Sequence, residues 1–287
     1  MNCNISLFHS LYPALSLGSD NFIKCPNEAL EWNTRKYRCM EEILTYDPDV
    51  ICLQEVDHFP DFYKPLLEQV GYQGTFQPKR YSPCLDVLNN SGPDGCAIFF
   101  KPDKFELLDT VGQNLQAQKG SRTIKCNQVV LFHRLKCTAS DLKGQEVIIG
   151  TTHLKAKQGY HEMRHAQGLD LLEIIKSHAS DLPVIIGGDF NGEPSEEVYK
   201  AFAKNFDSAY KKLSPDGTEE PLYTTWKIRS VGDICHTIDY MWYTRDKVAP
   251  VTLLGLPTNE DVGPGRLPSF KYPSDHLSLV CDFQFKE

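Results

Sequence analysis

Five short stretches carry residue types that move protons or hold hard cations, and each sits at the end of an apolar run. Leu53-Gln54-Glu55 closes one run on a carboxylate, and Thr152-His153-Leu154 closes another on an imidazole. Gly187-Gly188-Asp189-Phe190-Asn191 brings an acid and an amide together, with glycines that permit close approach to the backbone. Ile238-Asp239-Tyr240 opens a run on an acid, and Ser274-Asp275-His276 sets an acid beside an imidazole before the last run. An isolated Asp at a strand end is more often a turn former, and an isolated His more often a satisfied core or surface residue. Five such ends in one chain are a poor match to turn chemistry. Mg²⁺ takes one or two carboxylates plus waters and phosphate oxygens, which suits Glu55. An Asp–His pair suits an imidazole held in one orientation, and Asp with Asn suits aiming and deprotonating a water.

The elements that must present these residues are short and β-branched. Val50–Leu53, Ala97–Phe100, Val129–Leu135, Val147–Thr152, Val184–Gly187, Asp239–Tyr243 and Leu277–Phe285 read as strands bounded by Gly, Pro or Asp. Helical spacing interleaves. Glu28–Thr45 places Leu30, Tyr37, Met40, Ile43 and Leu44 on one side, and Gln158–Ser177 does so with Leu169, Leu172 and Ile175. Pro194-Ser195-Glu196-Glu197 reads as a capped helix start. Leu213–Leu222 and Leu256–Pro273 read as Pro/Gly-rich loops of a length that often carries function. No repeat, low-complexity tract or Gly/Ser linker interrupts the chain, so one layered α/β domain over 1–287 is expected. The pattern leaves open a parallel doubly wound sheet or two packed sheets with outer helices.

Composition narrows the classes. The 287 residues are 41% apolar and 24% charged, an ordinary globular balance. No apolar run is long enough to span a bilayer. Residues 1–20 hold no Lys or Arg, so neither a secretory signal nor a transit peptide is expected there. None of the ten cysteines falls in a C-x-x-C pair, and Cys52 and Cys281 sit inside apolar runs. Reduced thiols in a cytosol-like compartment are expected rather than structural zinc, with association with mitochondria left open. The net charge of −8 argues against tracking a long phosphate backbone. Even so, Lys79, Arg80, Lys155, Lys157, Lys227 and Arg229 lie within or beside the motif-bearing segments. Cations gathered locally in an acidic chain favour a compact, highly charged anion.

The ordered series Leu-Gln-Glu, Thr-His-Leu, Gly-Asp-Phe-Asn, Ile-Asp-Tyr and Ser-Asp-His resembles the motif series of the endonuclease/exonuclease/phosphatase superfamily. Longer stretches are similar to its nocturnin family: ICLQEVDH at 51–58, GPDGCA at 92–97, HLKAK at 153–157, YTTWKIR at 223–229 and YPSDHLSLVCDF at 272–283. The resemblance runs from Asp20 to the C-terminus. It implies a four-layered α/β sandwich, two mixed sheets packed face to face with helices outside. It further implies Glu55 as the principal Mg²⁺ ligand with Asp275 close by, and Asp189 with Asn191 as activators of the attacking water. His153 and His276 would stabilise phosphoryl charge, with Asp239 orienting His276. Lys79, Lys155, Lys157, Lys227 and Arg229 would hold a dinucleotide carrying a 2′-phosphate. The implied reaction releases that phosphate from NADP⁺ or NADPH, and Trp226 and Pro93-Asp94-Gly95 are candidates to contact an adenine.

Two positions depart from the family. Lys157 stands where Arg is usual, which keeps the charge but loses the bidentate fork. The family's first strand ends in Trp-Asn; here a gapped match offers Asn4 and an ungapped one offers His9. Two competing readings stay open. A 3′ exonuclease acting on RNA shares the fold and is disfavoured by the acidic balance; an inactive binding homologue is favoured only by the unusual start.

Overall fold

The structure, a computed structural model, describes residues 3–9, 22–88, 90–138 and 142–286, with the backbone alone for 3–9 and Lys119. Alternation along the strands builds its layers. In β2 (Val50–Val56), Val50 and Cys52 enter a core shared with Leu131, Val147, Ile149 and Phe283, while Ile51 and Leu53 enter another with Cys39, Met40 and Ile43. The same parity divides β12 (Asp239–Tyr243). Met241 and Tyr243 face the shared core, whereas Tyr240 and Trp242 pack with Leu171, Val198 and Phe202. Successive strand side chains point to opposite faces, so two-sided apolar strands demand cover on both sides. The result is helix, sheet, sheet, helix: the four-layered sandwich expected.

The first sheet contains β1 (Cys3–His9), β2, β3 (Gln73–Pro78), β4 (Gly95–Phe100), β13 (Val248–Leu253) and β14 (Leu279–Phe285), ordered β13-β14-β1-β2-β4-β3. The second contains β5 (Phe105–Lys119), β6 (Arg122–Cys137), β7 (Glu146–His153), β8 (Val184–Asp189), β9 (Asp207–Ser208) and β12, ordered β5-β6-β7-β8-β12-β9. Both sheets are mixed, with β1–β2 and β7–β8 parallel. A separate hairpin joins β10 (Thr225–Arg229) to β11 (Gly232–His236). Half-exposed β3, β10, β11 and β13 escape a sequence search for apolar runs. The last strand begins at Leu279, two residues later than expected, because His276 instead makes an isolated bridge to Thr225.

The helices differ from their sequence pattern in which face turns inward. In Trp32–Tyr46 the buried residues are Arg35, Cys39, Met40 and Ile43, while Tyr37 is 63% exposed. The chain breaks at Glu31, and Arg35 turns in to donate to the Leu30 and Pro273 carbonyls at 3.1 and 3.3 Å. In His161–Ala179 the buried face includes Arg164, Gln167 and Gly168, while Leu169 is 46% exposed. Gly168 lies there because a Cβ would come within 2.7 Å of Val198. The helix Glu197–Ala203 starts after Glu196 with no side-chain cap, so the capped start expected over Pro194-Ser195-Glu196-Glu197 is not made. Glu196 is held by Arg164 instead. Asn4 and His9 have side chains outside the described residues; their backbones pair with Asp282 and Gln54 respectively. Cys52 and Cys281 are buried between the sheets, as small hydrophobes would be.

His133 on β6 is fully buried, its Nε2 2.5 Å from Thr75 Oγ1 and its ring edge-on to Phe100. Burial lowers its pKa from the ordinary 6.5 to about 4. Between those values the unfolded chain takes up a proton that the fold refuses. Stability is therefore complete above the ordinary value and is lost as pH falls through the window, by up to about 3 kcal/mol. Replacing His133 with Gln should flatten that acid slope, read from urea unfolding at a series of pH values; an unchanged slope would contradict this account.

Candidate active site

Register assembles the site. His153 at the end of β7 pairs with Asp189 at the end of parallel β8, and Asp189 pairs with Asp239 at the start of antiparallel β12. Three residues far apart in sequence thus lie side by side across one sheet edge. Glu55 comes from the facing sheet. The ladder of β2 with β4 shifts between Leu53 and Val56, and Glu55 takes a φ of +53°. A bulge of this kind re-aims a side chain, and the left-handed backbone is strain stored at the site. One residue earlier, Gln54 donates to Thr151 Oγ1 at 2.7 Å and ties the two sheets together beside the site.

The acids here are crowded and differently compensated. Burial pushes the Glu55 carboxyl up to about 8, with Lys79 opposing and Asp275 and Asp94 reinforcing. The His153 ring sits between two acids, Nδ1 3.9 Å from Glu55 Oε1 and Nε2 3.7 Å from Asp189 Oδ2. Asp189 Oδ1 accepts from the Asn191 backbone N–H at 2.8 Å, and the Asn191 amide donates to the Leu154 carbonyl at 3.1 Å. Asn191 also has a positive φ, +52°. His276 Nδ1 lies 2.9 Å from Asp239 Oδ2, which also accepts from Thr224 Oγ1 at 2.6 Å. Burial disfavours the imidazolium, yet Asp239, with help from Asp275, outweighs burial and Lys227, so the pKa rises to about 9. Asp275 is desolvated too, but Lys227, His276 and Arg229 hold its carboxyl well below the carboxylate range. Lys227 Nζ bonds it directly and Arg229 Nη2 lies 3.7 Å away.

Lys79 Nζ is paired with buried Asp94 at 2.5 Å, and Asp94 also accepts from Ser82 Oγ. Its carboxylate is thereby committed within the protein, in the middle of the Pro93-Asp94-Gly95 loop. Trp226 lies on the side of its strand opposite the cations. Alternation along β10 sends Thr225, Lys227 and Arg229 to one face and Trp226 to the other. There the indole N–H donates to Asp233, and the Arg266 guanidinium lies 3.6 Å from the ring centroid. Lys155 and Lys157 stand apart from these cations on the loop after β7, with Lys155 Nζ 4.7 Å from the Tyr160 centroid. The loop is bound by Arg164 and Gln167, which sequence reading left among the unremarked helix residues. Gln54 and Asp94 were visible in their motifs, but their partners Thr151 and Lys79 lie on other strands or at a distant point in the chain.

The donor set fits a divalent cation. Glu55 offers a hard carboxylate that Lys79 neutralises only in part, whereas the charge of Asp275 is met by Lys227 and Arg229. The ligand atoms of Asp189, Asp239 and His276 also lie within 4.8 Å of one another, a second group able to contribute. His276 Nδ1 is there engaged with Asp239.

Asp239→Asn keeps the shape of the pair and removes its charge. The His276 pKa should then fall from about 9 toward the ordinary 6.5, as burial and Lys227 are opposed by Asp275 alone. NMR titration of the imidazole checks this; a value still near 9 would show that Asp239 is not its cause.

Known proteins share this arrangement of chain. The sequence profile of the Endonuclease/Exonuclease/phosphatase family matches residues 2–276. Nocturnin of Xenopus laevis is 54% identical over 282 residues, which cover 96% of this chain and 71% of the frog protein. Nocturnin of Homo sapiens is 52% identical over 282 residues, covering 96% of this chain and 64%, less than two thirds, of the human protein. The crystal structure of the human nocturnin catalytic domain with bound sulfate anion superposes with a TM-score of 0.83 at 44% identity, covering 99% of this chain and 94% of that one. With the sandwich and the sheet-edge motifs in place, the chain belongs to the endonuclease/exonuclease/phosphatase family of hydrolases, in its nocturnin branch.

Proposed function

We propose that the chain is a Mg²⁺-dependent phosphatase that releases the 2′-phosphate of NADP⁺ and NADPH, giving NAD⁺ and NADH. The observation that carries this reading is the meeting of Lys79, Lys227 and Arg229 on the same buried acids as Glu55 and His276, in a chain of net charge −8. Cations gathered at the site of a chain that is acidic overall suit a compact phosphate rather than a long polyanion. The human nocturnin catalytic domain, 44% identical, is described with a bound sulfate, a tetrahedral anion of the same shape.

In this reading Glu55, with Asp275 nearby, would hold the Mg²⁺, which would supply positive charge to offset that of the phosphoryl oxygens. Asp189, steadied by the Asn191 backbone N–H, accepts the proton of the attacking water, and the Asn191 amide aims it. The water oxygen bonds to phosphorus as the bond to the ribose 2′-oxygen breaks, that oxygen takes a proton from solvent water to leave as the alcohol, and Asp189 returns its proton to solvent. His276, kept protonated by Asp239, and His153 face the phosphoryl oxygens as donors. Lys155 and Lys157 bind the remainder of the anion.

A second reading, a 3′ exonuclease on RNA, is supported by the 27% identity to a protein described as the CCR4-Not complex 3'-5'-exoribonuclease subunit Ccr4 of Yarrowia lipolytica, of which this chain covers 45%. The two separate in one assay, phosphate release from NADP⁺ with Mg²⁺ beside shortening of a labelled poly(A) oligonucleotide. The expected result is release from NADP⁺ alone, reduced on the order of 100-fold or more by Glu55→Gln with the fold retained. Shortening of the oligonucleotide without release from NADP⁺ would sink the phosphatase reading. A folded wild-type chain inert on both would leave the binding-homologue reading.

A further inference from the structure

We propose that Arg164 and Glu196 are positioning residues that hold Lys155 and Lys157 as a preformed anion clamp beside His153; this deepens the phosphatase reading and rests on it. Arg164 is buried in the first turns of the helix that follows the clamp loop. Its Nε and Nη2 form a two-pronged bond with Glu196 at 2.9 and 2.8 Å. Its Nη1 then donates to the carbonyls of Lys155 and Lys157, at 3.2 and 2.9 Å. These are the backbone groups of the two cations themselves. Gln167 completes the hold, accepting from the Lys155 backbone N–H at 2.9 Å while its amide donates to Gln128 at 2.8 Å.

Two further features show what the hold is for. Lys157 has a φ of +80°, a strained conformation for a lysine that persists only where surrounding bonds impose it. Among the described residues, moreover, neither Lys155 nor Lys157 has a carboxylate within ion-pair distance, unlike Lys79, Lys227 and Arg229. The backbone of two lysines two residues apart is thus fixed, and neither ammonium is spent on a carboxylate, with Lys155 Nζ resting over the Tyr160 ring. A buried ion pair contributes little to stability compared with an apolar pair of similar volume. Only a guanidinium can fork to a carboxylate and still reach two carbonyls, so a lysine at 164 would not serve.

The test replaces the pair together, Arg164→Met with Glu196→Met, so that no buried charge is left alone. Steady-state kinetics on NADP⁺ and on p-nitrophenyl phosphate would be read beside amide hydrogen exchange across residues 154–160. The expected result is a KM for NADP⁺ raised about 10-fold, with kcat changed by less than about 2-fold. Exchange should quicken in the loop and stay constant in the rest of the following helix. A folded double variant with wild-type KM and wild-type loop exchange overturns the proposal. So does an equal loss of kcat on both substrates with a fall in Tm, the mark of a purely structural pair. Should the wild type release nothing from NADP⁺, the substrate reading fails by itself. The clamp is then judged by affinity for inorganic pyrophosphate and by loop exchange: weaker binding with faster exchange in the double variant upholds it, and no change in either overturns it.

Discussion

Carboxylates repel one another and resist leaving water, yet Glu55, Asp94, Asp189, Asp239 and Asp275 are gathered at one edge of this sandwich. Everything around them answers that cost. Asp94 is met by Lys79, Asp275 by Lys227 and Arg229, and Asp239 by His276 and Thr224. Asp189 takes a backbone N–H and faces His153. Glu55 is left least compensated, and its raised pKa expresses a site built to receive positive charge. The cations are therefore both the support of the acid cluster and the means of attracting an anion.

Such a cluster must also be rigid, because charges a few ångströms apart are sensitive to small displacements. Rigidity comes from burial of both faces of both sheets, which leaves the strand ends little freedom. The in-register row of His153, Asp189 and Asp239 is set by backbone ladders rather than by side-chain packing. Glu55 faces that row from the other sheet, and the Gln54–Thr151 bond fixes the two sheets where their spacing matters for chemistry. The strained turns at Glu55 and Asn191 are held by this framework and would not persist on a loose loop.

The sequence by itself determined a good deal. The strand-end motifs are contiguous, so Glu55, His153, Asp189, Asn191, Asp239, Asp275 and His276 were legible as a set, and the series identified the fold. Two-sided apolar strands such as β2 and β12 were legible because alternation is a local property. Which helix face turns inward was not. Arg35, Arg164 and Gln167 are polar residues pulled inside by hydrogen bonds to distant carbonyls, amides and a carboxylate, so hydrophobic spacing pointed instead to Tyr37 and Leu169. Tertiary structure alone decided that Trp226 faces away from Lys227, that Asp94 belongs to Lys79, and that Glu196, just before its helix, holds Arg164. Each of these pairs joins separated points of the chain. Their distance is set by strand register and sheet packing, and no local pattern of residue types encodes it.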